Sequence, residues 1–277
     1  MTTHLREAAL AFRALHTAGR PLVLPNAWDA ASARVIEAAG ARAIATTSAG
    51  VAWDLGVADG DRLGRDRALG AVATIAAAVG VPVSADIESG YATDAAGVAE
   101  TVRGVLAAGA VGVNIEDAAY EGAAPLRASA DQAARIETAR KTADAAGVPL
   151  FINARVDTYL RAVGQETDRL ALTLERAAAY LAAGADGIFV PGVADPDTLA
   201  ALVAGVGGPL NVTAGPGAPS VAELAALGVA RVSTGARIAQ AAHAVVREAA
   251  LELLAKGTYG PLEGGLDYGE LNTLLGG

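Results

Sequence analysis

Asp86-Ile-Glu88, inside VPVSADIESGY, and Glu116-Asp117, inside VGVNIEDA, are acidic pairs that each follow a short apolar run bounded by Gly or Pro. Such runs read as buried parallel strands, which puts the acids at strand ends. Residues two apart on a strand share a side, so Asp86 and Glu88 are expected to converge on one spot. Two carboxylates on one buried face repel each other and are costly to desolvate unless a cation lies between or near them. The chain contains no cysteine, so the donors are oxygens, a set that favours Mg²⁺ or Mn²⁺. The competing reading of the same acids is helix capping or pairing with arginine.

Other residues extend this set. Alternation places Glu116 with Asn114 on one face of its strand and Asp117 on the other, where it is free to cap a helix. Asp59 lies beside Asp61 in VADGDRLGRD and is, by itself, an ordinary turn aspartate. Ser48-Ala49-Gly50 ends an apolar run with a hydroxyl and two backbone N–H groups, a weak anion-nest signal. Arg155, in INARVD, ends another; its planar fork suits a substrate carboxylate, and an ion pair with Asp157 or a neighbouring acid is the alternative. Asn211 and Thr213 could complete a polar rim. The histidines, His4, His16 and His243, fall on expected helices, so a Ser-His-Asp triad lacks its base. Lys141 and Lys256 are also helical, which argues against Schiff-base chemistry. Trp28 and Trp53 read as packing residues.

The elements that must position these groups come in a quasi-repeat. Apolar runs after proline (Pro21, Pro82, Pro149, Pro209) alternate strictly with runs after Ala-Gly or Leu-Gly (Gly40, Gly109, Gly184, Gly228), giving eight expected strands. Alanine-rich segments with helical period lie between them, at 29–39, 66–79, 94–108, 129–146, 166–183 and 219–227. A helix ending in glycine just before each strand suits a left-handed C-cap. Eight strand–helix alternations predict an α/β fold, a (β/α)8 TIM-type barrel over about 20–235, with a C-terminal helix and tail over about 236–277, the whole of 1–277 being one domain. A doubly wound open sheet is the alternative. It is weakened because Asn26-Ala27-Trp28-Asp29, not a glycine-rich loop, follows the first strand. Residues 48–65 and 117–128 read as long loops at the C-terminal face, where barrel sites are built. The apolar, Gly/Tyr-rich tail is expected to dock on the barrel or on another subunit.

Composition bounds the rest. Of the 277 residues 53% are hydrophobic and 18% charged, enough for a large core and too apolar for disorder. A net charge of −9 argues against nucleic acid or an anionic membrane as the main partner. No apolar signal core opens the sequence, and no 18-residue run suits a lipid span, so a cytoplasmic protein is expected.

Taken together, PNAWDAASARVIEAAGARAIATTSAG, VADGDRLGRD, PVSADIESGY, GVNIEDA, INARVDTY, GADGIFVPG and LNVTAG resemble the isocitrate lyase/phosphoenolpyruvate mutase superfamily over nearly the whole chain. The resemblance implies an α/β barrel with a helix exchanged between subunits, usually in a homotetramer. It implies making or breaking a C–C or P–C bond next to an α-oxo acid through an enolate stabilised by Mg²⁺. By the same resemblance Asp86 would be the principal metal ligand, with Glu88, Glu116 and Asp59 holding its waters. Ser48, Ala49 and Gly50 would bind the oxo-acid carboxylate, Arg155 and Asn211 would orient the rest, and Tyr91 looks like a substrate-loop residue. The chain departs from the family in its lid. Family lyases carry a Lys-Lys/Arg-Cys-Gly-His motif after Glu-Asp, and the phosphonate mutases a lysine and an asparagine. Here AAYEGAAPLRAS leaves Tyr120 and Arg127 as the polar lid candidates, and Val190-Pro191-Gly192 stands where the lyases tend to have a glutamate. The expected activity is that of a Mg²⁺-dependent lyase on a small α-oxo or α-hydroxy carboxylate, working without a lid cysteine. A phosphonopyruvate-type mutase or hydrolase, an oxaloacetate-type hydrolase, and a non-catalytic oxo-acid binder are the alternatives.

Overall fold

The computed structural model describes residues 2–120 and 122–276. Helix α1 (Thr2–Ala14) precedes strands β1 (Leu22–Leu24) and β2 (Asn26–Ala27), then α2 (Ala30–Ala38), β3 (Ile44–Thr46), α3 (Ser48–Asp54) and α4 (Arg65–Ala78). There follow β4 (Val83–Asp86), α5 (Ala95–Ala107), β5 (Gly112–Glu116), α6 (Ser129–Ala145), β6 (Phe151–Arg155) and α7 (Arg169–Ala182). The chain continues through β7 (Gly187–Val190), α8 (Pro196–Gly205), β8 (Leu210–Thr213), α9 (Val221–Leu227) and β9 (Arg231–Ser233), and ends with α10 (Arg237–Lys256) and α11 (Tyr268–Leu275).

Every strand pairing is parallel, and the order β1-β9-β8-β7-β6-β5-β4-β3-β2 is that of a nearly closed α/β barrel. The nine strands are the eight expected staves with the first one split. Pro25 interrupts it, because proline has no N–H to donate to a ladder; β1 then pairs with β9 and β2 with β3. Asn26 seals the seam: its Oδ1 accepts from the Thr234 and Gly235 amides at 2.9 Å each, and its Nδ2 donates to the Thr46 carbonyl at 3.0 Å.

The expected long loop at 48–65 is half helix. Residues 48–54 form α3, and Gly50 serves packing there, since a Cβ at this position would lie 2.8 Å from both Thr47 Cγ2 and Trp28 Cβ. Trp28 accordingly packs with Val51, Leu63 and Ala68.

Side chains on alternate strand positions fill the lumen in layers. At the base, Phe12 of α1 meets Phe151 edge-on at 5.7 Å, and His16 stacks on Phe151 at 3.8 Å. Above them lies a polar layer: Asn153 Nδ2 donates to Asn114 Oδ1 at 2.9 Å and to Asn211 Oδ1 at 3.0 Å, and Arg231 Nη2 reaches Asn114 Oδ1 at 3.3 Å. The Asn153–Asn211 and Arg231–Asn114 bonds link strands that are not neighbours, so they cross the lumen. The tail docks on its own barrel, where α11 packs on α2 and Arg34 Nε donates to the Leu274 carbonyl at 2.7 Å. No described helix is long and apolar enough to cross a membrane.

Candidate active site

The uppermost lumen layer is acidic and sits at the strands' C-terminal ends, as expected. Strand β4 stops at Asp86, and Glu88 beyond it turns into the left-handed region at φ 49°. Strand alternation therefore does not apply to Glu88, and the expected convergence of two bare carboxylates is not what forms. Instead the Glu88 side chain clasps the neighbouring loop after β3: Oε2 accepts from the Gly60 amide at 3.0 Å and from the Asp61 amide, while Oε1 accepts from the Tyr91 hydroxyl at 2.9 Å. Asp61 returns the clasp by accepting from the Ser89 amide at 3.3 Å and from the Ser89 hydroxyl. Asp61 at φ 58° and Tyr91 at φ 49° are left-handed as well, so the two interlocked loops hold three strained non-glycine residues.

Glu116 ends β5 beside them. Its Oε2 lies 2.6 Å from Arg155 Nη1, and its Oε1 accepts from the Tyr120 hydroxyl. Tyr120 belongs to the 117–128 segment and closes over the mouth. Its ring lies against Gly60, where a Cβ would come within 3.0 Å of Tyr120 Cε1, and the Arg161 guanidinium stacks over it at 5.0 Å. Asp117 points the other way, as alternation requires, and anchors the same segment from outside the lumen. It accepts from the Asp157 amide at 2.9 Å, from Arg176 Nη1 at 2.9 Å and from the Tyr180 hydroxyl at 2.8 Å.

Arg155 forms the ion pairs that are the alternative reading of its position. It lies at the mouth, but Nε and Nη2 grip Asp157 at 2.6 and 2.9 Å, and Nη1 is held by Glu116. Asn211 is 1% exposed, and both ends of its amide are used, by Asn153, Ser233 and two backbone carbonyls. It supports the floor and does not face the mouth. Asp59 is exposed and close enough for its charge to act on Asp86 and Glu88. The Ser48 amide donates to Asp86 Oδ2 at 3.3 Å, leaving the first-turn amides of Ala49 and Gly50 for other acceptors. Asp61 and Ser89 escaped sequence reasoning; their roles exist only once the two loops meet, and Asp61 is marked in the sequence by nothing beyond a turn.

Burial dominates the electrostatics. It pushes the Asp86 carboxyl up, with Arg155 pulling it back and Asp59 pushing further. The same desolvation raises Glu88 to about 7 and Glu116 to about 8, the latter against the pull of Arg155. Burial alone would depress Arg155, but Glu116 and Asp157 more than offset it and hold the guanidinium charged. Burial also raises Tyr91 and Tyr120, reinforced by Glu88 and Glu116 respectively, so both phenols keep their protons.

A family model described as phosphoenolpyruvate phosphomutase matches residues 12–254. The chain belongs to that family. Within the isocitrate lyase/phosphoenolpyruvate mutase superfamily, it is 42% identical over 226 residues to an uncharacterised protein of Mycobacterium tuberculosis strain H37Rv, covering 82% of each. It is 32% identical over 190 residues to the 2-methylisocitrate lyase of Escherichia coli K12, covering 67% of this chain and 62% of that enzyme. A candidate lyase/mutase crystal structure from Burkholderia cenocepacia J2315 superposes with a TM-score of 0.90 at 40% identity, covering 97% of this chain and 95% of that one. A phosphonopyruvate hydrolase crystallised with oxalate and Mg²⁺ superposes with a TM-score of 0.84 at 27% identity, again covering 97% and 95%.

The mouth of this phosphomutase-family chain suits a hard cation held by a single direct protein ligand. Among the described residues no three acidic or histidine side chains form a metal cage. Both oxygens of Glu88 and both of Glu116 are already hydrogen-bonded or ion-paired. Asp86 alone accepts only two long bonds, 3.3 Å from the Ser48 and Glu88 amides, and so has lone pairs to give. Mg²⁺ typically keeps several waters and takes one or two carboxylates, which fits Asp86 with Glu88, Glu116 and Asp59 around it. Outside this ring, between the loops after β3, β4 and β5, opens a cleft of about 760 Å³ whose wall includes Asp61, Tyr91, Thr93, Tyr120 and Arg127.

Proposed function

We propose that the protein is a Mg²⁺-dependent enzyme that cleaves or forms a C–C bond next to an α-oxo or α-hydroxy carboxylate by way of an enolate. The observation that carries this reading is the mouth itself, where Asp86 keeps free lone pairs inside a ring of desolvated acids whose charge calls for a cation. The cation, when bound, supplies the positive charge that stabilises a developing enolate. Mn²⁺ offers the same oxygen chemistry.

The chain's own residues do the remainder. Asp86 ligates, and Glu88, Glu116 and Asp59 orient water. The free amides of Ala49 and Gly50, beside Ser48, receive the substrate carboxylate, and Arg155, held by Glu116 and Asp157, sets a positive charge beside Asp86. Asn211 holds the floor on which Arg155 and Glu116 stand. In this reading Tyr120 takes the place of a lid acid: its protonated phenol, hydrogen-bonded to Glu116, would give the proton to the enolate carbon. Tyr91, held by Glu88, is the second proton donor at hand.

Product analysis with 2-methylisocitrate, oxaloacetate and phosphonopyruvate tests the reading. Mg²⁺-dependent C–C cleavage supports it. Turnover of phosphonopyruvate alone would move the chain to P–C chemistry, and Mg²⁺ and oxalate binding without any turnover would make it a binding protein. We further propose a homotetramer in which α10 is exchanged between subunits. Only Ala239 of its 20 residues is buried, and Val246 and Leu254 are 65% and 86% exposed. Light scattering on the eluted protein should return four chains, and a monomer would rule this out.

A further inference from the structure

Tyr91 and Tyr120 both donate to acids at the mouth, but they are mounted differently. The Tyr91 ring packs against the hydrophobic core. Tyr120 is 38% exposed and does not join that core. Three contacts hold it instead. Glu116 accepts from its hydroxyl, Gly60 lies against the ring edge, and the Arg161 guanidinium sits over the ring at 5.0 Å from its centroid.

Arg161 is free for this role. Its Nε makes a 3.4 Å contact with Asp157 Oδ2, and among the described residues its terminal nitrogens make no hydrogen bond. Its charge is therefore set against the ring, whose face attracts a cation. The backbone beneath it is firm. The Arg161 amide donates to the Asp157 carbonyl and the Val163 amide to the Thr158 carbonyl, both at 2.9 Å. Gly192, at φ 87°, lets the loop after β7 approach the same turn: a Cβ there would lie 3.0 Å from Leu160 N and Cα.

These contacts close a circuit. Tyr120 donates to Glu116, Glu116 pairs with Arg155, Arg155 grips Asp157, Asp157 meets Arg161, and Arg161 covers Tyr120. A single hydrogen bond at the hydroxyl leaves the ring able to swing about that point. A second contact on its face fixes where the O–H lies.

We propose that Arg161 is a positioning residue for Tyr120, holding the phenol over the mouth with its hydroxyl on Glu116. The proposal rests on the enolate reading, in which Tyr120 gives the proton, and adds the residue that aims it.

Tyrosine labelled with ¹³C at Cζ, in the full chain with Mg²⁺ and oxalate, reports the hydroxyl's surroundings by NMR, and Tyr120→Phe assigns the signal. Arg161→Met should move the Tyr120 signal toward that of free tyrosine, and Arg161→Lys should move it only part of the way. With whichever of 2-methylisocitrate, oxaloacetate and phosphonopyruvate the wild type turns over, Arg161→Met should lower kcat roughly 5-fold, the size of one cation–π contact. KM should change by less than about 2-fold. In a Tyr120→Phe background the same substitution should lower kcat no further, because the two residues act as a coupled pair. An unmoved Tyr120 signal in Arg161→Met, or kcat losses that multiply in the double variant, would overturn the proposal. If none of the three compounds is turned over, the enolate reading falls, and the NMR signal alone decides whether Arg161 holds Tyr120.

Discussion

At the mouth of the barrel, Asp86, Glu88 and Glu116 crowd together under amides, phenols and one arginine; at the base, Arg231 is 1% exposed among Phe12, Phe151 and His16, with Nε and Nη1 unpartnered. Both ends bury charge. The mouth does so with interlocked loops that carry three left-handed residues and with a tyrosine hydrogen-bonded to Glu116. The base does so against the aromatic rings of Phe12 of α1 and Phe151. The difference teaches where chemistry can happen in this lumen: charge that is hydrogen-bonded yet reachable at one end, and charge sealed against aromatic rings at the other.

The largest expected effect lies at the base. Phe12 is 0% exposed and packs on Phe151, His16 and the glycine at position 112. Phe12→Ala should lower unfolding stability by about 3–5 kcal/mol in denaturant titrations. It should leave Mg²⁺-linked oxalate binding within about 2-fold, because distant sites act independently. A loss under ~1 kcal/mol would mean that the base is not the packed end.

The two ends should next separate by pH. Burial raises Glu88 from its ordinary 4.5 to about 7, so its contribution is full below pH 4.5 and is lost as pH rises through 7. His16 is lowered from 6.5 to about 3, chiefly by burial and next by Arg231, so its contribution is full above 6.5 and is lost as pH falls toward 3. In the metal-free protein both limbs should appear in the pH dependence of the unfolding free energy. Glu88→Gln should reduce the alkaline limb, to which Glu116 also contributes, and leave the acid limb unchanged, and His16→Phe should do the reverse. One variant flattening both would break the comparison.

The smallest effect concerns Arg231. Burial lowers this guanidinium to about 9, and the Asp86 charge opposes that fall. Arg231→Met removes a buried charge with two unpartnered donors and forfeits one 3.3 Å bond to Asn114. Its stability should change by no more than about 1 kcal/mol, and in the stabilising direction. A loss of several kcal/mol in thermal melts would show Arg231 to be essential ballast for the acids above.

The sequence carried the barrel through its alternating Pro and Gly punctuation, and it carried the opposite orientations of Glu116 and Asp117 through strand period. The split at Pro25 and the helix at Ser48–Asp54 were hidden because proline and small residues read as turn material. Glu88 was misdirected by a strand rule that ends at Asp86. Asp61, Ser89 and the commitment of Asn211 to the floor depend on contacts between segments distant in sequence, which no local pattern encodes. The lid is the clearest case: sequence left Tyr120 and Arg127 as a remainder, and the fold put one over the acids and the other in the cleft.

In the proposed site Asp86 would be the one direct protein ligand for the cation. Mg²⁺-dependent oxalate binding, followed by calorimetry in the wild type and in Asp86→Asn, tests it most directly. The account predicts binding in the wild type and a loss of roughly 100-fold or more in Asp86→Asn, since one carboxylate supplies the only direct protein contact. Normal binding by Asp86→Asn would contradict it.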